Sequence, residues 1–272
     1  MYDFELLTAT SLQEAVTALQ DEETQALAGG QTLIPTMKQR LASPERLVSL
    51  TKIKALQGVT ATAQEVVIGA AARHADVAVE AAAFFPALAD LAGHIGDPAV
   101  RNRGTIGGSL ANNDPAACYP AAVLACGAVI ETNLRQIAAK DYFDGMFGTA
   151  LDDGELITAV RFPIPKIAHY EKFVQPASRF ALVGVFVARF DDAVRVAITG
   201  ASQQGVFRWV EAEAALSKEF EPAAIDNLTI DPADFIADAH AAQTYRAHLV
   251  SVMTKRAVTA ITPFYLKIRV GW

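Results

Sequence analysis

Arg103-Gly-Thr-Ile-Gly-Gly-Ser-Leu-Ala-Asn-Asn-Asp-Pro115 is the stretch on which the rest of the chain turns. A glycine pair, two hydroxyls, two amides and a carboxylate stand together between long apolar segments. A second stretch, Leu27-Ala-Gly-Gly-Gln-Thr-Leu-Ile-Pro35, repeats the theme. Glycine permits positive φ and lets a ligand approach the main chain, and successive exposed N–H groups make a concave anion site. The two stretches are therefore expected to be two walls of one diphosphate site, with positive φ at the glycine pairs. Neither has the G-x-G-x-x-G spacing or the Gly-Lys-Ser/Thr of a P-loop. A diphosphate held without lysine or magnesium suits a resident cofactor better than a nucleotide that is cleaved.

Around these stretches the apolar pattern predicts mixed α+β structure in three units, 1–55, 56–165 and 166–272. In the first, strands at 2–7, 25–28 and 47–50 alternate with a helix from Ser11 to about Gln20 and another from Leu33 to Leu41. Glu14, three residues after Ser11, gives a reciprocal capping pattern, and Pro35 fits a first helical turn. In the second, strands are expected at 59–62, 65–70 and 155–163, with a hairpin over 128–133 and 135–139. Helices are expected from His74 or Asp76, around 86–95 and over 120–126. Pro163-Ile-Pro165 is a stiff break. Beyond it strands at 169–174, 181–190 and 194–200, the second pair joined by Asp191-Asp192, precede helices at 209–216, from Pro222, and at 244–262.

Composition narrows the function. The 272 residues are 52% hydrophobic and 19% charged, which suits a globular protein with sizeable cores. A net charge of −7 with scattered basic residues argues against nucleic acid as a partner. Asp76, Glu80, Pro86 and Asp90 interrupt the Ala-rich middle, so no transmembrane segment is expected. The N-terminus lacks the pattern of a secretory signal, and the expected location is cytoplasmic. The two cysteines, Cys118 and Cys126, are too few for an iron–sulfur cluster and are expected as buried thiols. The five histidines show no metal spacing, so no metal ligand and no catalytic residue is assigned.

Ala28–Pro35 and Thr105–Pro115 resemble the two FAD-binding signatures of the molybdenum hydroxylase flavoprotein subunits, nearest to the medium subunits of aerobic carbon monoxide dehydrogenases. Met37-Lys-Gln-Arg-Leu41, Val67-Ile-Gly-Ala70, Tyr170-Glu-Lys-Phe173 and Tyr245-Arg-Ala-His-Leu249 extend the resemblance over nearly the whole chain. It implies a two-subdomain FAD-binding domain of the family's PCMH type, followed by a smaller α/β C-terminal domain of strands then helices. It also implies that Ala28, Gly29, Gly30, Gln31, Thr32 and Leu33 hold one side of FAD and Thr105, Gly107, Gly108 and Ser109 the other. Asn112 and Asp114 would lie near the cofactor. Ile95, Ile157, Lys172 and Phe180 would lie by the flavin ring. Thr32 keeps the hydroxyl where serine is common, whereas Cys118 stands where relatives often have aspartate. Glutamine, not histidine, occupies position 31, so FAD is expected to be non-covalent.

The same resemblance implies an oxidoreductase subunit in a heteromeric complex. Its partners would be a large molybdenum-cofactor subunit and a small subunit with [2Fe–2S] clusters, assembled as a dimer of heterotrimers. Flavin joins one-electron to two-electron chemistry, so electrons from the clusters would leave here to an external acceptor. The alternatives left open are a self-sufficient FAD-dependent oxidoreductase, which needs a substrate base beside the ring, and a scaffold without flavin.

Overall fold

A computed structural model describes residues 1–270, with side chains described through residue 262; residues 271 and 272 of the expected C-terminal unit lie outside the described residues. Its α+β architecture is the expected class, built on three sheets. The first is parallel, in the order β1-β3-β2, from β1 (Glu5–Thr8), β2 (Thr24–Leu27) and β3 (Arg46–Ser49). Parallel neighbours need crossovers, and these are α1 (Leu12–Ala18) and α2 (Leu33–Lys38). Ser11 caps α1 by accepting the Glu14 N–H at 3.2 Å. The returning carboxylate closes on Thr10, accepting its N–H at 2.8 Å and its hydroxyl at 3.0 Å, one residue earlier than the capping pattern predicts. Ala15, Val48, Leu50, Ile53 and Leu56 form the small core of this unit.

The second sheet runs β4-β5-β8-β6-β7 and is antiparallel throughout. Its strands are β4 (Val59–Ala61), β5 (Glu65–Gly69), β6 (Val129–Thr132), β7 (Gln136–Ala138) and β8 (Ile157–Pro163). The strand expected from Glu155 begins at Ile157, because Glu155 closes a turn, its N–H donating to Asp152 O at 3.0 Å. Helices α3 (His74–Glu80), α4 (Pro86–Gly93), α5 (Pro98–Arg101), α6 (Ile106–Asn112), α7 (Tyr119–Cys126) and α8 (Ala139–Tyr142) accompany this sheet. The second glycine pair thus lies inside the first turn of a helix, not in an open loop. Thr105 caps that helix, and Asn113 ends it in the left-handed region with φ 40°.

The third sheet, β12-β11-β10-β9, is antiparallel and comprises β9 (Ile167–Val174), β10 (Ala181–Arg189), β11 (Val194–Ser202) and β12 (Gly205–Arg208). Strand β12 has no sequence expectation behind it, being short with one buried valine. Helices α9 (Val210–Lys218) and α10 (Gln243–Val270) follow, while Pro222–Ile225 makes only a 3₁₀ turn rather than the start of a helix. This sheet is a middle layer. Phe186 and Ala188 of β10 join the core shared with α4 and α7, whereas Val183, Val185 and Val187 join the core under α9 and α10. Both faces of β10 are covered, so its apolar run is continuous and lacks the alternation of a half-exposed strand. At about 1.5–3 kcal/mol for each fully buried Val or Phe, this strand fixes the third sheet against the second. Its hairpin turn with β9 is thereby held beside the first two units.

Candidate functional site: a cleft where the two glycine loops meet

The loop after β2 and the approach to α6 touch at Gly29. A Cβ there would stand 2.6 Å from Gly104 Cα and 2.8 Å from the Arg103 carbonyl carbon, with Arg103 O nearer still. All are backbone atoms of the other stretch, so only glycine allows the two to close. Gly108, which is exposed, faces the same space: its missing Cβ would lie 3.8 Å from the Ala28 Cβ. The cleft lined by both loops has a volume of about 600 Å³, within the range of small-molecule sites. Every site residue named from the sequence lines it: Ala28, Gly29, Gly30, Gln31, Thr32, Leu33, Ile95, Thr105, Gly107, Gly108, Ser109, Asn112, Asp114, Ile157, Lys172 and Phe180.

The two walls are chemically unlike. On the first, Gly30 takes φ +69°, and among the described residues none of the N–H groups of Gly29, Gly30, Gln31 and Thr32 has a protein acceptor. Thr32 precedes α2 at the capping position, yet its hydroxyl makes no capping bond. This row of N–H groups and one hydroxyl is free to serve an anion in the manner of a backbone nest. On the second wall the donors are already engaged. Ile106 N–H donates to Ala72 O at 3.2 Å and Gly107 N–H to Ala70 O at 2.9 Å. Gly108 N–H donates to the Thr105 hydroxyl at 3.2 Å. Gly107 and Gly108 are helical, so the positive φ expected of this pair does not occur. Gly107 is glycine for another reason: a Cβ would come within 2.7 Å of Ala70 Cβ and Ala70 O. The second pair permits close approach and packing; the first supplies the donors.

Farther along, apolar side chains and two cations line the cleft. Ile157 is buried at the start of β8, and Ile95 follows α4. The Ile95–Gly96 turn is held by Arg101, whose Nη1 donates to both carbonyls at 3.1 Å. Lys172 of β9 reaches across, Nζ donating to His94 O at 2.9 Å. Phe180, 48% exposed, and Arg179 come from the turn between β9 and β10. Burial raises the Asp114 carboxyl above its usual value, partly offset by the Ala116 N–H it accepts at 2.8 Å.

Three cleft residues carry no signal in the sequence. His74 is buried behind Gly104, with burial and then the Arg101 charge pushing its pKa down to about 4, so its ring is neutral. Glu155 is inaccessible and bound to Arg135. Arg179 has φ +61°. His74 and Glu155 depend on partners distant in sequence, which spacing does not reveal, and the positive φ of Arg179 belongs to a local turn with no glycine to mark it. Cys118 also lines the cleft, and both cysteines are free and buried.

Comparison with known proteins gives the family. Residues 2–165 match the family described as the FAD binding domain in molybdopterin dehydrogenase. The chain is 36% identical to the carbon monoxide dehydrogenase medium chain of Afipia carboxidovorans, over 91% of this chain and 93% of that one. It is 32% identical to the glyceraldehyde dehydrogenase medium chain of Sulfolobus acidocaldarius, over 94% and 97%. Among solved structures, reconstituted CO dehydrogenase from Oligotropha carboxidovorans superposes with a TM-score of 0.85 at 32% identity, covering 95% of this chain and 97% of that one. Fold, cleft and sequence converge: the chain belongs to the FAD-binding medium subunits of the molybdenum hydroxylase family.

Proposed function

We propose that this subunit takes electrons from [2Fe–2S] clusters on a small partner subunit and passes them to an external acceptor, while a large molybdenum-cofactor subunit oxidises the substrate. The carrying observation is the cleft itself, where a row of unpartnered N–H groups at Gly29–Thr32 faces a glycine helix turn that lets a ligand come close. FAD fits these residues. Its diphosphate would take the N–H groups of the first wall and the hydroxyls of Thr32 and Ser109. Ala28, Leu33, Thr105, Gly107, Gly108, Asn112 and Asp114 would enclose it. Ile95, Ile157 and Phe180 offer apolar surface to the ring. FAD when bound supplies the passage between two-electron and one-electron chemistry; the chain's own residues bind it, orient it and set the charge around it. The relatives' names, which attach to carbon monoxide and glyceraldehyde, support a common electron-handling subunit whose complexes differ in substrate. We place the first two sheets, 1–55 and 56–165, as the halves of the FAD domain and 166–272 as the C-terminal domain. The assembly is a cytoplasmic dimer of heterotrimers.

The purified chain is expected to show flavin absorption, to release FAD into the supernatant on acid precipitation, and to copurify with cluster and molybdenum subunits when these are coexpressed. Alone it should leave aldehydes and N-heterocycles unchanged. Turnover of such a substrate by the isolated chain would favour the self-sufficient oxidoreductase, and a yellow acid pellet would overturn non-covalent binding.

Lys172 gives a second test. A cation lining the cleft stabilises charge gained on reduction, so Lys172→Met is expected to lower the bound flavin potential by about 30 mV, equivalent to about 1.4 kcal/mol for a two-electron couple. Potentiometric titration of the FAD-loaded protein reads this directly. An unchanged potential would confine Lys172 to holding the His94 carbonyl.

A further inference from the structure

The turn between β9 and β10 forms one edge of the cleft and is fastened by a side chain far along the sequence. Within it, Arg179 N–H donates to Gln175 O at 2.8 Å and Gln175 N–H to Phe180 O at 2.9 Å. Ser178, Arg179 and Phe180 line the cleft. Arg179 sits at φ +61°, a conformation a non-glycine residue keeps only where its surroundings impose it. The carboxamide of Gln175 braces the same turn with both of its ends. Its Oε1 accepts from Ala177 N–H at 2.7 Å and from Ser178 N–H at 3.3 Å, which fixes the orientation of the amide. Nε2 is then presented to His240 Nδ1 at 2.8 Å. A carboxamide nitrogen only donates, so Nδ1 must be the acceptor and the ring proton must sit on Nε2.

His240 is itself held from the core of the third unit. Its N–H and that of Ala241 donate to Asp238 Oδ1 at 2.9 and 3.0 Å. Asp238 Oδ2 accepts from Arg246 Nη2 at 2.6 Å. Arg246 is buried, and its Nη1 donates to Leu182 O at 2.8 Å and Gly200 O at 2.7 Å, carbonyls of β10 and β11. Hydrogen bonds thus run from the middle sheet through α10 to the cleft edge.

We propose that His240 is a positioning residue for the cofactor cleft. As a hydrogen-bond acceptor for Gln175, it holds the Ser178–Phe180 edge in place without touching the bound group. That the edge covers FAD rests on the function proposed above; that His240 anchors it does not.

The test uses the full-length chain, with and without FAD, as His240→Ala, Gln175→Leu and His240→Asn. Asparagine places Oδ1 where the imidazole carries Nδ1, so it keeps the acceptor and removes the ring. Two rates are read: tryptic cleavage of the Arg179–Phe180 bond, followed by peptide mass, and FAD release, followed by flavin fluorescence. One hydrogen bond corresponds to a factor of about five to ten. His240→Ala and Gln175→Leu should accelerate both processes by that factor, and His240→Asn should return both to the wild-type rate. Unchanged cleavage in His240→Ala would overturn the anchor. Asparagine failing to rescue would also overturn it, because ring packing rather than the acceptor would then be responsible. Cleavage without FAD tests the anchor independently, so a chain that held no flavin would refute the proposed function and leave the anchoring role of His240 standing.

Discussion

Gly29→Val is expected to remove bound FAD and to destabilise the fold by about 3 kcal/mol, the upper end of the usual cost of forcing atoms into a packed site. The obstacle is unusually rigid. The new Cβ would meet Gly104 Cα at 2.6 Å and the Arg103 carbonyl carbon at 2.8 Å. A flexible side chain could move aside, but these are backbone atoms in a segment already tied down. Gly104 N–H donates to Val100 O at 2.7 Å, and Gly104 O accepts from His74 N–H at 2.9 Å. The loop after β2 must therefore retreat, carrying the N–H groups of Gly30, Gln31 and Thr32 away from α6. Gly108→Ala separates this effect from ligand contact. Its Cβ would meet only the Thr105 hydroxyl oxygen at 3.1 Å and Ala28 Cβ at 3.8 Å. That variant should unfold at nearly the wild-type urea concentration yet bind FAD more weakly, because the added methyl projects into the cleft. Urea midpoints and flavin content together decide the matter. Wild-type flavin content in Gly29→Val would show that the two walls need not meet.

The meeting of the two glycine stretches was legible because each run carries glycines beside hydroxyls and amides, the residue types that a close backbone approach and an anion both use. How each wall works was not legible. In sequence the two pairs look alike, but Gly107 is dictated by Ala70 across the unit and Gly29 by Arg103–Gly104 across the seam. The Gly107-Gly108 pair reads as a loop by propensity, and the Thr105 cap with the ladder to Ala70 and Ala72 makes it helical. Strand starts drifted where a side-chain network took over from the ladder, as at Glu155. The strands of the third sheet were legible as apolar runs. Their role as a middle layer, with Phe186 and Val185 in different cores, follows only from what packs on each face.

Glu155→Gln is expected to lower stability by about 2–3 kcal/mol at pH 7 and to flatten its acid dependence. The side chain is fully inaccessible. Its Oε1 accepts from the Thr132 hydroxyl at 2.6 Å and Arg135 Nε at 3.1 Å, and Oε2 from Arg135 Nη2 at 2.9 Å and Asp152 N–H at 2.8 Å. Burial alone would raise this carboxyl, but the Arg135 hydrogen bonds, the Asp152 N–H and the Thr132 hydroxyl outweigh it and hold the pKa down to about 2, against an ordinary 4.5. A carboxyl depressed by folding contributes its full stabilisation above the unfolded pKa and loses it as protons bind. The contribution is thus complete above about pH 5 and falls away between about 4.5 and 2. The full depression would correspond to somewhat more than 3 kcal/mol; Arg135 is half-exposed, and solvent screening reduces this to the stated range. Urea midpoints of wild type and Glu155→Gln should differ most at neutral pH and converge toward pH 2. Parallel curves would remove the Arg135 pair as the cause. The consequence reaches the cleft, because Leu156 and Ile157 follow directly and both line it. Leu156 N–H donates to Asn133 Oδ1 at 2.7 Å, in the same turn that carries Thr132 and Arg135. Below about pH 3 the wall behind Ile157 is expected to loosen before the sheets do, so flavin fluorescence should report FAD release at a higher pH than the one at which circular dichroism reports unfolding.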